Sequence, residues 1–205
     1  MIVVFIGPDG CGKTTLIEGL AQELSAKHHV VVHEMNYRAL PRLASIAAVL
    51  LGRPIPKDHA PGQYLAGMAK PPLGIFKAGM YILYYSLDYA LGGRRIKARS
   101  RQSVILFSRY AYDYQYQHAY SRCPRGLRRL PAIFAVRPDV VITIHRSAEV
   151  IHTQKPELSV EEIERQQGEI DILVKANQNF MRIDGEPGVT ATLNKAIAAL
   201  GDFEG

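Results

Sequence analysis

The sequence predicts an α/β chain: a five-stranded parallel sheet with helices on both faces. Three observations carry that expectation. Five short apolar runs, most of them rich in β-branched residues, recur along the 205 residues. Helical spacing fills the stretches between them. The first run, IVVFI, is apolar at every position, as a strand buried on both faces must be. Strands alternating with helices fold as βαβ units, whose crossovers cover the two faces of a parallel sheet.

Residues 2–6 form the first strand, which stops at Gly7-Pro8. Residues 13–27 place Leu16, Ile17, Leu20 and Leu24 on one face of a helix. A second strand covers 30–32, a third 104–107, a fourth 140–144 and a fifth 180–183. Helices are expected over 40–51, 76–91, 126–136, 160–178 and 191–200. The stretch 52–74 breaks the pattern with Pro54, Pro56, Pro61, Pro71 and Pro72. A loop of that length is usually functional or mobile. No repeat or linker divides the chain, so 1–205 reads as a single domain.

Composition narrows the classes. With 47% hydrophobic and 21% charged residues the chain is neither disordered nor fibrous. Two cysteines, Cys11 and Cys123, are too few for a disulfide framework and suit a reducing compartment. The opening MIVVFIGPDG has no basic leader and no cleavage site. The longest apolar stretch, 75–91, is interrupted by Lys77 and Asp88, so no membrane span is expected. The expectation is a soluble, cytoplasmic protein. Lys and Arg number 25 against 19 Asp and Glu, a net charge of +6. The excess is local: Arg94, Arg95, Lys97, Arg99 and Arg101 form one cluster, and Arg122, Arg125, Arg128 and Arg129 another. Such clusters attract phosphates of nucleotides, nucleic acids or membrane surfaces, and serve equally as solvated faces.

The strongest motif is Gly7-Pro8-Asp9-Gly10-Cys11-Gly12-Lys13-Thr14-Thr15. It fits Gly, four residues, then Gly-Lys-Thr, between a buried strand and a helix, which is the P-loop context. Gly7, Gly10 and Gly12 let the backbone wrap a phosphate chain. The N–H groups of the loop and of the helix start at Thr14 and Thr15 supply fixed positive partial charge. Lys13 can reach the β and γ phosphates, and the Thr14 hydroxyl can hold Mg²⁺. A nucleoside triphosphate is the expected ligand. The loop alone leaves kinase, GTPase and motor open.

Beyond the loop, the chain resembles the thymidylate kinase family, and within it the thymidylate-kinase-like proteins. Four places carry the resemblance: Asp9 in the loop; Phe107-Ser108-Arg109-Tyr110 after the third strand; Arg137-Pro138-Asp139 before the fourth; and 155–166, KPELSVEEIERQ. The resemblance implies a three-layer P-loop NTPase fold, with a lid at about 145–168. It also implies transfer of the ATP γ-phosphoryl group, with Mg²⁺, to a small-molecule phosphate acceptor. Nucleic acid is the disfavoured partner. Carried over by position, Lys13, Asp9 and Arg109 are catalytic, with Asp9 and Thr14 on the metal. Arg109 would grip the acceptor phosphate, joined at the acceptor by Arg38, Asp88, Tyr110 and Asp113. Arg146, Lys155 and Arg165 would serve the lid. Thymidylate kinases are commonly homodimers, and the helix at 76–91 offers a face for that.

The chain also departs from the family pattern. Ser108 stands where an aspartate precedes the arginine, and His145 where the fourth strand ends in aspartate. Gln154 and Gln167 stand where basic residues are usual. An arginine that stabilises the transition state is worth about 10³–10⁵ in turnover. The alternative is therefore a degenerate kinase that binds nucleotide as a regulatory module.

Overall fold

A computed structural model describes residues 1–33, 37, 39–41, 43, 45 and 71–201. The strands are β1 (Ile2–Ile6), β2 (Val30–His33), β3 (Val104–Phe107), β4 (Val140–His145) and β5 (Phe180–Asp184). Among the described residues the helices are α1 (Lys13–Ser25), α2 (Ile75–Arg99), α3 (Asp113–Tyr116), α4 (Arg125–Phe134), α5 (Ala148–Gln154), α6 (Val160–Ala176) and α7 (Val189–Gly201). All neighbouring strands run parallel, in the order β2-β3-β1-β4-β5.

The pleat of each strand sorts its residues onto two cores. Ile2, Val4, Ile6, Ile105, Phe107 and Val141 meet Ile82 and Tyr89 of α2 on one face. Val3, Phe5, Leu106, Val140 and Ile142 meet Leu16, Leu20 and Ala196 of α1 and α7 on the other. Successive side chains of a strand point to opposite faces, so a strand buried on both sides needs an unbroken apolar run. Asp139 closes the front of β1, its Oδ2 accepting from the Ile2 N–H at 2.6 Å.

The sheet places the loop. β1 lies central, between β3 and β4, and the chain leaves its C-terminal end into residues 7–12 before α1 begins. In open parallel sheets that edge is where ligands bind, because the flanking chains diverge there. β3 delivers residues 108–116 and β4 delivers residues 146–147 to the same edge.

Two expected elements change. The helix expected over 76–91 runs on to Arg99. Gly92-Gly93 reads as a stop signal, but a Cβ at Gly92 would lie 2.6 Å from Tyr37 Cβ. Glycine there lets Tyr37 pack against the helix rather than ending it. Residues 148–154 form a helix of their own, with Ser147 capping it by accepting from the Val150 N–H at 3.4 Å. The helix expected over 40–51, the proline-rich stretch 52–74 and Arg38 lie outside the described residues, apart from residues 40, 41, 43, 45 and 71–74.

Candidate nucleotide site

The loop forms as its glycines demand. Gly12 precedes α1 at φ +100° and Gly10 sits at φ +94°. Gly10 is also where α5 presses on the loop. A Cβ there would meet Lys155 Cβ at 3.0 Å and the Ile151 carbonyl oxygen at 3.2 Å. Any other residue would pay for the left-handed backbone and push α5 away.

Charged side chains converge on Asp9. One Arg109 nitrogen, Nη2, donates to both of its oxygens, at 2.7 and 2.8 Å. Lys13 Nζ stands 3.8 Å from Oδ1, and Lys155 Nζ 4.0 Å from Oδ2. Burial pushes the Asp9 carboxyl up, but Arg109, Lys13 and Lys155 outweigh it and hold it down at about 2. Asp9 is therefore an anion at any working pH. Lys13 meanwhile donates to the carbonyls of Gly7 and Pro8, at 2.7 and 2.8 Å.

A second chain of contacts ties α3 to the loop. The Gly7 N–H donates to Tyr116 Oη at 3.1 Å, and the same hydroxyl donates to Asp113 Oδ1 at 2.6 Å. Asp113 Oδ2 accepts from Gln117 Nε2 at 3.2 Å and lies 3.9 Å from Arg109 Nη1. A circuit thus runs from the loop start through Tyr116, Asp113, Arg109, Asp9 and Lys13 back to the loop. Burial pushes Asp113 up to about 6, with Arg109 and the Tyr116 hydrogen bond acting against it. Burial lowers Arg109, but Asp9 and Asp113 more than offset this and raise it.

The other expected residues divide. Thr14 and Thr15 open α1 beside Lys13. Asp88 is buried in α2 and spends both oxygens on backbone, accepting from Tyr37 N–H at 3.0 Å and Leu40 N–H at 2.8 Å. It fixes Tyr37 and Leu40 against α2. Tyr110 is buried, with its hydroxyl on Tyr37 and on the Val136 carbonyl. Tyr37 in turn accepts from the Val136 N–H at 2.9 Å. Tyr114 and Tyr116 are buried too, so this tyrosine-rich stretch packs as core rather than as an open stacking platform. Arg165 donates to Glu162 at 2.8 and 2.7 Å and to the Tyr116 carbonyl at 2.7 Å, so it braces α6 against α3. His152 Nδ1 contacts the Leu158 carbonyl at 2.7 Å and holds the 155–159 turn.

One region escaped sequence reasoning. Gly12, Thr15, Ile144, Arg146, Gln154 and Thr192 line a cavity of about 210 Å³ beside the start of α1, with Gly185 and Gly188 also in its wall. Arg146 Nη1 donates to Gln154 Oε1 at 3.0 Å, and Gln167 Nε2 donates to the Arg146 carbonyl at 2.7 Å. The two glutamines therefore orient Arg146 rather than carry charge themselves. Arg146 Nε is buried with no hydrogen-bond partner among the described residues. The cavity adjoins the loop at Cys11 and Gly12, with Arg146 in its lining. The only sequence signal was the pair Gly185 and Gly188 after β5.

For Mg²⁺, the Thr14 hydroxyl and Asp9 offer the oxygen donors a hard cation takes. Among the described residues no group of three His, Cys, Asp or Glu side chains could hold a metal.

Comparison with known proteins agrees with this geometry. A family model described as "ATPase family associated with various cellular activities (AAA)" matches residues 3–43, a span that takes in most of β1, the loop, α1 and β2. Thymidylate kinase from Ehrlichia chaffeensis superposes with a TM-score of 0.61 over 98% of this chain and 98% of its own, at 16% identity. No curated protein matches the chain in sequence. Sheet order, loop and comparisons define an α/β P-loop NTPase fold with a kinase as a structural neighbour. Among the described residues no helix is long and apolar enough to cross a membrane.

Proposed function

We propose that the chain is an ATP- and Mg²⁺-dependent phosphotransferase of thymidylate kinase type. It passes the γ-phosphoryl group to a nucleoside monophosphate or to another small acceptor, such as a sugar or sugar phosphate. The observation that carries this reading is the pairing of Arg109 with Asp9 directly beside Lys13. A hydrolase needs cations around one nucleotide. A cation delivered from a second strand, on the far side of the loop's own carboxylate, suits a second phosphate.

In this reaction Lys13 would leave the Gly7 and Pro8 carbonyls for β and γ phosphate oxygens. Arg109 would turn from Asp9 to the acceptor phosphate, to which a guanidinium can bind through two nitrogens. Lys155 would neutralise charge on the transferring group, and Arg146 would line the nucleotide cavity. Thr14 and Asp9 would hold Mg²⁺, whose positive charge would offset that of the phosphates. Phosphoryl transfer asks mainly for such positioning and charge.

The test is ADP release with ATP and Mg²⁺ across all nucleoside monophosphates and a panel of sugars and sugar phosphates, with Lys13→Ala as control. Acceptor-dependent release absent from the control supports the kinase. ATP binding without turnover on any acceptor supports the degenerate module instead, the reading that Ser108 and the uncharged Gln154 favour. A homodimer and a cytoplasmic location belong to the same proposal, and sedimentation of the free protein tests the first.

A further inference from the structure

Helix α4 carries positive charge where a helix is least suited to it. It opens on Arg125, continues with Arg128 and Arg129, and has no acidic residue in its first turn. The N-terminal end of a helix already bears positive partial charge, so cations there destabilise it and anions stabilise it. Spacings of three and four residues put the three arginines on one face, where like charges repel. They line a cavity of about 70 Å³ between α4 and α6, and Glu169 is the one carboxylate in its wall among the described residues.

Glu169 does not satisfy all three. Its Oε1 accepts from Arg125 Nη2 at 3.3 Å and stands 3.7 Å from Arg128 Nη2. Arg129 has no ion pair among the described residues. Arg128 is buried, and a buried charge calls for full pairing. Its Nη1 donates to the Gln115 carbonyl, but its Nε has no hydrogen-bond partner among the described residues. Three guanidiniums against one carboxylate leave an excess of two positive charges. A phosphate monoester carries about −1.5 to −2 near neutral pH and offers three acceptor oxygens. The forked donors of a guanidinium fit those oxygens. A lone carboxylate would leave half of the excess unmatched. The cavity is also too small for a nucleotide, since ligand pockets start at about 300 Å³. Ile172, exposed at the rim, adds an apolar rest beside the arginines.

We infer that the cavity between α4 and α6 binds a phosphate dianion, free or as the monoester of a small molecule. None of its lining residues belongs to the loop or to the Arg109–Asp9 pair, so this site is separate from the nucleotide site. Arg128 joins it to α3 through Gln115, the residue before Tyr116, whose hydroxyl accepts from the Gly7 N–H. The proposal does not depend on the phosphotransferase reading.

Calorimetric titration of the full chain with phenyl phosphate and with inorganic phosphate tests it. Lys13→Ala serves as the parent, so that the lysine of the loop does not contribute. The parent should bind a phosphate probe saturably, with a Kd of about 1 mM or tighter. Arg125→Ser with Arg129→Ser should weaken that binding about tenfold or more, because charge-assisted hydrogen bonds are lost. Glu169→Gln should tighten it about two- to fivefold, because Arg125 and Arg128 lose a competing carboxylate. Arginines that merely brace α4 against α6 would not produce that gain. Arg125 and Arg129 face solvent, and circular dichroism checks that each variant keeps its fold. Tighter binding of phenyl phosphate than of inorganic phosphate identifies an ester whose body rests on Ile172, and equal binding identifies the free ion. The proposal is overturned if neither probe saturates the parent, if the arginine pair of substitutions leaves affinity unchanged, or if Glu169→Gln fails to raise it.

Discussion

Asp9 explains how three cations are held together beside the loop. Arg109, Lys13 and Lys155 all lie within 4.0 Å of it. Removing Lys13 should therefore abolish triphosphate binding without unfolding the loop, because Arg109 still pairs with Asp9. Titration calorimetry of Lys13→Ala checks this, and unchanged ATP affinity would sink the loop assignment. Asp113 behaves in the opposite way to Asp9. Its carboxyl rises from the ordinary 3.8 to about 6 in the folded chain, so the folded state binds that proton more tightly than the unfolded one. This contribution to stability is complete below the unfolded pKa and is lost as pH rises through the folded one. Between about pH 4 and about pH 7 the wild type should lose about 3 kcal/mol relative to Asp113→Asn. Thermal unfolding of both proteins across that range measures the difference, and parallel curves would mean that Asp113 titrates normally. Asp9 has the reverse sign: its share of stability is present above about 3.8 and fades as pH falls through about 2.

At the scale of elements, α3 is a single turn, yet it anchors the loop through Tyr116. Tyr116→Phe leaves the Gly7 N–H without its Tyr116 acceptor and takes one donor from Asp113. An orphaned buried polar group costs about 1–3 kcal/mol. The variant should lose that much stability in urea, and ATP affinity should fall with it, since the loop start is no longer held. A loss of stability with unchanged ATP affinity would show that Tyr116 supports only the core. How much of this was legible in the sequence follows from the kind of signal each element has. β1 and β3 were legible to the residue, because a strand buried on both faces leaves an unbroken apolar run. The P-loop was legible because its glycines and Lys13 sit at fixed offsets. The far end of α2 was not, since Gly92 serves a close approach of Tyr37, which only the tertiary fold brings there. A carboxylate in an apolar stretch such as that around Asp88 needs a partner. Sequence could not reveal that the Tyr37 and Leu40 N–H groups supply it, nor that Tyr110 turns its hydroxyl to Val136. The Arg146 cavity stayed hidden for the same reason: β4, α1 and the turn after β5 build it together.

For the whole molecule, both halves of the site hang on the C-terminal edge of one sheet, so filling it should stabilise the entire fold. A ligand that binds only the folded state at a hundred times its Kd adds about 2.7 kcal/mol. In a chain of this size each kcal/mol raises Tm by about 2–4 °C, so a non-hydrolysable ATP analogue with Mg²⁺ should raise it by roughly 5–10 °C. Lys13→Ala should erase that rise. Asp88→Ala should behave differently. It strips the acceptors from the Tyr37 and Leu40 N–H groups and so lowers the baseline Tm, but it leaves the nucleotide-induced rise intact, since Asp88 spends both oxygens on those groups rather than on the loop. The acceptor can be sought in the same measurement. If the reaction brings two phosphates together across Asp9, an acceptor should add a further shift that is larger with the ATP analogue bound than without it. Binding each ligand then orders cations that the other also uses, and that coupling is reciprocal. Arg109→Ala should remove the acceptor's shift and keep most of the nucleotide's. Loss of both together would mean that Arg109 serves the nucleotide, and the second phosphate would have to be sought elsewhere on the sheet edge.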